Sequence, residues 1–587
     1  METGRGQVEE RVETGRGQVE ERVETRARAV HPRVQATAPP TPYRPNHAPT
    51  HPPYKAVPPR AATAAAATAA ALLLAPTCAP PAAAATAPAR TAPARTAPAR
   101  TAPARTAPAR TAPARTAPAR TALAWGDCPA PTPNANGTVT PRDPRQQCAS
   151  LRVPRDYRHP EAGSITLEIS RIRTATPAHR HGDLLVVPGG PGGSGLDHPS
   201  RMATQLPPAV LDHDDLIGLD ERGIGNSTPV ACGLPPADRS AALAYPFPAP
   251  DGTITANLAH AHRVADSCAA RTGGYLADIT TANSARDLDR VRAALGDPRI
   301  SYLGTSYGTY LGEVYATLFP ARTDRVVLDS VVAPGGERQA LGLLGQGAED
   351  AFPDLAAWLA AHDSTLHLGA DPAAVRATYD RLTARLDTTP LVLGDGRVLT
   401  GNALRTVTYA TLVSPAYYPT AAAVWQRAAA TPPTTPAAAL SAAADGPAGP
   451  LPGVVPDNFI AAQDAVLCGD TPWPRDSAYY AARTAADRIR HPLTNGMPGN
   501  VWPCAFWHYR PAEPPVRITG AGPRSILLLQ DLRDPDTPLT GARRTRRALG
   551  HRAALLTVDA AGHGVDFADP RVRDPLTAFL LTGRLPG

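Results

Sequence analysis

The sequence predicts an α/β protein with a mostly parallel central sheet, helices on both faces and a helical insertion late in the sheet. Three features support this: short apolar runs end in loops rich in Gly or Asp, helical spacing separates them, and an Ala-rich stretch interrupts the series. We divide the folded part into a first core segment (123–335), a helical insertion (336–500) and a second core segment (501–587).

The strands are expected in the following order. Residues 164–170 alternate apolar and polar side chains with period two, which is typical of a half-buried antiparallel strand. A helix is expected over residues 286–295. Buried strands are predicted at six short apolar runs: 183–187, 216–219, 300–303, 325–328, 525–529 and 554–558.

The stretch from 336 to 500 is helical in character and is broken by Pro-rich segments such as 431–436. It follows the strand that ends near Asp329. An insertion at this point in a parallel sheet lies beside the edge where the strands end, so we expect it to form a lid over that edge.

The first 122 residues show repeats instead of a core pattern. Residues 1–54, in which 2–12 recur as 13–23, are expected to be a disordered extension, and a start codon downstream of Met1 would exclude them. Residues 55–85 combine a basic flank, a short apolar run and small residues, as a signal peptide does; the run is shorter than the ~20 residues that span a bilayer. Residues 86–122 hold seven TAPAR copies, expected to form a linker that associates with a cell wall or to be a repeat without function.

The net charge of +7 comes from this N-terminal region. Residues 1–120 contain 17 Arg and Lys against 7 Glu, so the remaining 467 residues carry a charge of about −3. The folded part therefore has no net attraction for a phosphate backbone, which disfavours nucleic-acid binding.

Six of the seven cysteines fall as three successive pairs in the folded part, and none makes a C-x-x-C motif that would indicate zinc. Cys78 stands alone in the N-terminal region. In an exported protein, this order predicts short-range disulfides, and buried free thiols are the alternative. The predicted pairs are Cys128–Cys148, Cys232–Cys268 and Cys468–Cys504.

Gly304-Thr-Ser306-Tyr-Gly308 follows a predicted strand and precedes a predicted helix over 309–318. G-x-S-x-G in this context is the nucleophile elbow of the α/β-hydrolase fold, so Ser306 is the candidate nucleophile. Gly-rich residues 188–195 follow the strand 183–187. Their backbone N–H groups can approach an oxyanion. The expected donors are the N–H of Gly190, or of a neighbour in this loop, and the N–H of Tyr307.

Asp534 and His563 follow the last two predicted strands in the order Ser, Asp, His that this fold uses. His563 would act as general base, and the acid would hold its tautomer. Asp531 and Asp536 compete with Asp534 for the role of acid.

The motifs PGGPGGSG (188–195), DERGIGNS (220–227), GTSYG (304–308), RDPDTP (533–538) and AGHG (561–564) resemble those of secreted tripeptidyl aminopeptidases, relatives of the proline iminopeptidases. The resemblance covers about 125–587. It implies a serine peptidase that uses no metal or cofactor and acts on peptides with a free N-terminus. It also selects Asp534 as the acid, and it implies that Asp220 and Arg222 brace the loops beside the site.

These motifs do not identify the acidic residue that would bind the substrate amine. Asp470 and Glu349 are the two candidates. The fold also admits a secreted esterase or lipid hydrolase. A third possible function is that of a non-catalytic envelope protein on a repeat stalk. It is disfavoured because it gives the Ser, Asp and His motifs no role. Epoxide hydrolases and dehalogenases place Asp where this chain has Ser306.

Overall fold

A computed structural model describes residues 123–133, 139–240, 243, 245–393, 398–430 and 454–586. The predicted extension, signal peptide and linker, together with Cys78 and the Pro-rich segment 431–436, lie outside these residues. Within the described ranges, no helix is long and apolar enough to cross a membrane.

The described strands are β1 (Gln147–Pro154), β2 (Ser164–Ile172), β3 (Gly182–Val187), β4 (Asp214–Leu219), β5 (Ile300–Thr305), β6 (Thr323–Asp329), β7 (Leu391–Val392), β8 (Val398–Leu399), β9 (Ile526–Arg533) and β10 (Ala553–Ala561). β7 and β8 form a small hairpin. The other eight form one sheet in the order β1-β2-β4-β3-β5-β6-β9-β10. β2 is antiparallel to both β1 and β4, and the remaining pairs are parallel, so the predicted mostly parallel sheet is confirmed.

The helices are α1 (His198–Gln205), α2 (Pro208–Leu211), α3 (Thr255–Thr272), α4 (Thr281–Leu295), α5 (Tyr307–Leu318), α6 (Glu337–Leu341), α7 (Leu344–Ala361), α8 (Asp363–Leu366), α9 (Pro372–Thr388), α10 (Gly401–Thr411), α11 (Tyr418–Ala429), α12 (Asp457–Asp470), α13 (Ser477–Arg490), α14 (Leu539–Leu549) and α15 (Pro570–Thr582). Short 3₁₀ turns join several of them.

Both faces of the central strands are buried. In β3, Leu185 and Val187 belong to one apolar cluster, whereas Leu184 and Val186 belong to another on the opposite face. Successive side chains of a strand point to opposite faces, so a run without polar residues requires cover on both sides. The apolar runs therefore predict the interior of the sheet.

All seven strands expected from the sequence are present, but β1 and the two short strands β7 and β8 were missed. In β1, Leu151 and Val153 are buried while Ser150 and Arg152 are exposed, so the period-two pattern exists. The pattern is weak because a single alanine, Ala149, supplies the next buried position. β1 extends the sheet by pairing with β2.

Helices α6–α13 lie between β6 and β9 and build an apolar core of their own from residues such as Phe352, Leu355, Tyr379, Leu404 and Trp425. α12 is different, because its residues 461–468 pack in the main core. The insertion is therefore joined to the sheet layer through α12.

Three disulfides link the six cysteines in the pairs that their order predicts: Cys128–Cys148, Cys232–Cys268 and Cys468–Cys504. The third attaches the end of α12 to the segment that leads back to the sheet. Each bond closes a loop of 20 or 36 residues. In the chain-entropy description, a loop of that size stabilises a fold by about 3–4 kcal/mol.

Candidate active site

Ser306 occupies the sharp turn between β5 and α5. Its backbone has φ 58° and ψ −126°, a conformation that costs a non-glycine residue about 1–3 kcal/mol and is found mostly at functional sites. The turn is too tight for side chains on either flank. A Cβ on Gly304 would lie 2.4 Å from the carbonyl oxygen of Gly308, and one on Gly308 would lie 2.6 Å from that of Pro188.

The Gly-rich loop after β3 lies directly against Ser306, because β3 and β5 are neighbours and Val187 pairs with Gly304. A Cβ on Gly189 would lie 2.5 Å from the Ser306 Cβ and 3.0 Å from its Oγ, so only glycine permits this approach. The sequence pointed to Gly190, the next residue, as an oxyanion donor. Tyr307 is the first residue of α5, and its N–H therefore has no acceptor within the helix.

Asp220 holds this loop in place. Its buried carboxylate accepts hydrogen bonds from the Ser194 hydroxyl (2.5 Å) and from the backbone N–H groups of Gly195, Leu196 and Asn226 (2.7–3.0 Å). The bracing implied by the family resemblance thus corresponds to a set of direct contacts.

Arg222 braces a neighbouring part of the structure. Its guanidinium is fully buried and forms a two-pronged ion pair with Asp287 of α4, at 2.7 and 2.8 Å. It also donates to the carbonyls of Arg155 and Asp278. Arg222 therefore ties the loop after β4 to α4.

His563 and Asp534 meet at the ends of β10 and β9. The Nδ1 atom of His563 lies 3.0 and 3.1 Å from the two carboxylate oxygens of Asp534. Asp534 has no exposed surface. The arrangement leaves Nε2 of His563 as the ring nitrogen available to a neighbouring hydroxyl.

The turn after Asp534 supplies further donors to its carboxylate. The N–H groups of Asp536 and Thr537 donate to Oδ1 at 2.9 and 2.8 Å, and the Thr537 hydroxyl donates to Oδ2 at 2.8 Å. Gln530 donates to the carbonyl of Thr537 and accepts from the N–H of Val331, so it ties this turn to β6. Sequence reasoning quoted the threonine within a motif but gave neither Thr537 nor Gln530 a role.

The two rival acids face other partners. Asp536 accepts a hydrogen bond from the Tyr409 hydroxyl at 2.6 Å. Asp531 makes no hydrogen bond to His563, and burial raises its pKa to about 7. Among these three acids of the described chain, geometry favours Asp534.

Charge pairing decides the pKa values of the His563–Asp534 pair. Burial opposes ionisation of both groups, yet the Asp534 charge and hydrogen bond raise the pKa of His563 above its ordinary 6.5. The His563 charge and the surrounding donors hold the pKa of Asp534 below its ordinary 3.8. The pair is thus suited to stabilise an imidazolium at His563. The described hydrogen bonds join His563 to Asp534 but do not join Ser306 Oγ to His563.

The acids considered for amine binding differ in what they already contact. Glu349 is occupied, since its oxygens accept from Arg376 and from the N–H of Leu493. Asp470 accepts from the N–H and hydroxyl of Thr281, at the start of α4. Glu337, which sequence reasoning did not select, has a buried Oε1 that accepts no hydrogen bond within the part of the chain that the structure describes.

Comparison with known proteins decides the family. A family model described as "TAP-like protein" matches residues 494–587, and one described as "alpha/beta hydrolase fold" matches residues 184–412. A tripeptidyl aminopeptidase from Streptomyces lividans is 34% identical over 452 residues, covering 75% of this chain and 82% of that protein. This chain belongs to the tripeptidyl aminopeptidase family. It is accordingly a serine hydrolase, a peptidase with the α/β-hydrolase fold.

Two further relatives of this tripeptidyl aminopeptidase family member come from Mycobacterium tuberculosis. The serine protease Hip1 is 30% identical over 470 residues, covering 75% of this chain and 86% of that protein. A protein named carboxylesterase B is 31% identical over 458 residues, covering 75% of this chain and 85% of that protein.

Replacing Asp534 with Asn is expected to lower kcat on a simple chromogenic ester by about 10⁴-fold, because the amide no longer fixes the His563 tautomer or stabilises its charge. The acid limb of kcat/KM should move to lower pH, since the group that raises the pKa of His563 is gone. The matched variants Asp531→Asn and Asp536→Asn should stay within about tenfold of the unsubstituted protein. If either control lost more kcat than Asp534→Asn, the acid would be the residue replaced in that control and Asp534 would be wrongly assigned.

Proposed function

We propose that this chain is an exported serine exopeptidase that releases short peptides, most simply tripeptides, from free N-termini. The observation that carries the proposal is the contact of His563 with both oxygens of buried Asp534, at the sheet edge where Ser306 occupies a nucleophile elbow. Family membership supplies the substrate class, since a relative at 34% identity is named a tripeptidyl aminopeptidase.

In the proposed reaction, Ser306 Oγ attacks the scissile carbonyl while His563 Nε2 takes the hydroxyl proton. Asp534 stabilises the resulting imidazolium through Nδ1. His563 then protonates the leaving amine, which departs as the shortened peptide, and the N-terminal fragment remains esterified to Ser306. His563 then takes a proton from water, which attacks the ester carbonyl. The bond to Ser306 Oγ breaks, His563 returns the proton to that oxygen, and the N-terminal fragment leaves as a free acid.

The tetrahedral oxyanion would be bound by the N–H groups of Gly190 and Tyr307. Tyr307 supports this role by its place as the first residue of α5, where the N–H is free of the helix and the helix dipole favours negative charge. Gly190 belongs to the loop that Gly189 brings against Ser306. Removing one such donor typically costs an enzyme about 10²–10³ in kcat.

The free amine of the substrate would be bound by Glu337, with Asp470 adding negative charge. Glu337 begins α6, directly after the segment that leaves β6, and the preceding Gly336 lies against Tyr310. Burial and the charge of Asp470 raise the pKa of Glu337 to about 8, while the charge of His563 acts in the opposite direction. A protonated amine beside the unpartnered Oε1 would satisfy that oxygen and restore its charge.

Export is supported by two independent features. Three disulfides are typical of proteins that fold outside the reducing cytosol. Residues 55–85 have the composition of a signal peptide, although they lie outside the described residues. The helical insertion would then act as the lid that limits the substrate to a chain end.

The test of this function is a reporter panel on the purified protein. Chromogenic amides of a free tripeptide should be cleaved, single-residue aminoacyl amides should be cleaved more slowly, and an N-acetylated tripeptide amide should resist. Ser306→Ala should abolish cleavage and labelling by a fluorophosphonate probe. Release from simple esters alone, with every peptide amide intact, would contradict the proposal.

That contradicting result would favour the second candidate function, a secreted esterase. The relative named carboxylesterase B, at 31% identity, is the observation in its favour. The same fold and the same three residues serve both reactions, so the substrate panel separates them where the scaffold does not.

Glu337→Gln tests the amine site. The glutamine keeps the shape of the side chain and removes its charge. We therefore expect KM for the free tripeptide amide to rise by about tenfold with kcat little changed, because an interaction that binds substrate and transition state equally is lost. Glu349→Gln is the matched control, because its carboxylate is already occupied by Arg376. If both variants keep the KM of the unsubstituted protein, Glu337 does not bind the amine.

A further inference from the structure

Asp329 is the last residue of β6, between the strand that carries Ser306 and the strand that leads to Asp534. Its side chain is 2% exposed. Sequence reasoning used it only to mark the end of a strand, and the reaction described above assigns it no step.

The backbone of Asp329 contacts the nucleophile. Its carbonyl accepts a hydrogen bond from the N–H of Ser306 at 3.0 Å. Within the sheet, Asp329 pairs with Thr305 on one side and with Leu529 of β9 on the other. The position of Asp329 therefore sets where the elbow begins.

The side chain of Asp329 contacts the loop of the base. Oδ1 accepts from the N–H of Val565 at 3.0 Å, and Oδ2 accepts from the Thr305 hydroxyl at 3.3 Å. The next residue strengthens the link, since the Ser330 hydroxyl accepts from the N–H of Gly564 at 2.7 Å. Two consecutive residues thus hold the two positions that follow His563.

We propose that Asp329 is a positioning residue, which fixes the spacing of Ser306 and His563 and places a second carboxylate against the loop that carries His563. Its backbone holds the nucleophile while its side chain holds the base, so a single residue couples the two. The inference rests on the proposed function for its role in the reaction, although the contacts themselves do not.

Burying the charge of the Asp329 carboxylate costs free energy, and packing alone gives no reason to keep a charge at this position. In the described chain, Asp329 forms no ion pair with Arg or Lys, and burial raises its pKa to about 7. The charge of His563 acts against this rise, and Asp534 acts with it. An isosteric amide would avoid the cost and keep the hydrogen bond to Val565, so a carboxylate at this position points to a use for its charge.

The charged groups around the pair are few enough to name. His563 faces Asp534, Asp536 and Asp329. Asp329 itself faces His563 and Asp534, and it influences Asp531 on the adjacent strand. Glu337, at the start of the insertion, interacts electrostatically with His563, whose charge lowers the pKa of Glu337. Removing the Asp329 charge should therefore lower the pKa of His563, while Asp534 keeps it above the ordinary value.

Two substitutions separate the hydrogen bond from the charge. Asp329→Ala removes both, and we expect kcat on the chromogenic ester to fall by about 10²-fold with KM unchanged, the size of loss that a misplacement of about 1 Å causes. Asp329→Asn keeps an acceptor for Val565, so it should recover most of kcat, unfold no more easily than the unsubstituted protein and move the acid limb of kcat/KM to lower pH. Asp531 is a buried acid on the neighbouring strand, and Asp531→Asn should change neither kcat nor the acid limb of kcat/KM.

An NMR titration of the full chain with ¹³C-labelled histidine measures the pKa of His563 without any turnover, with Ser306→Ala as a background. A lower pKa in Asp329→Asn would support the inference even if the reporter panel failed, and that failure would count against the proposed function alone. An unchanged pKa in Asp329→Asn, together with unaltered kcat in Asp329→Ala, would overturn the inference.

Discussion

The contact between His563 and the buried carboxylate of Asp534 is the interaction on which the rest of the site depends. A carboxylate without exposed surface remains ionised only when nearby charge and donors compensate for lost hydration. Here the imidazole, two backbone N–H groups and the Thr537 hydroxyl surround it. The compensation requires the turn at 534–537, and Gln530 holds that turn against the sheet.

Neighbouring strands that end at one edge bring this contact to the same side of the sheet as Ser306. β5, β6, β9 and β10 are consecutive in the sheet, and they carry Ser306, Asp329, Asp534 and His563 at or just after their last residues. Parallel strands give one edge to all four side chains, although these are separated by more than 250 residues of chain. The sheet therefore brings together what the sequence separates, and the insertion between β6 and β9 leaves that register intact.

The parts of the fold and site that could be predicted were those governed by local physics. Unbroken apolar runs predicted the buried strands, and Gly304 and Gly308 predicted the elbow, because a tight turn excludes larger residues. β1 was missed because only Leu151 and Val153 are large on its inward face, and the next inward position is the small Ala149. Asp329 and Gln530 could not be found, since each depends on a partner far away in the chain: Val565 is 236 residues from Asp329, and Val331 is 199 residues from Gln530. Glu337 could not be found because its role comes from an oxygen without a described partner, which no local pattern marks.

The insertion between β6 and β9 is also linked to this site. It has its own apolar core, it is joined to the sheet through α12 and the Cys468–Cys504 bond, and it brings Glu337 near the base.

The most direct test of the central claim is intact-mass and peptide-mapping spectrometry of protein quenched with acid during turnover of a tripeptide ester. The proposed mechanism predicts a tripeptidyl adduct on Ser306, absent from Ser306→Ala. An adduct on a residue other than Ser306 would contradict the mechanism. A His563→Ala variant that still hydrolyses the ester without forming an adduct would contradict it as well.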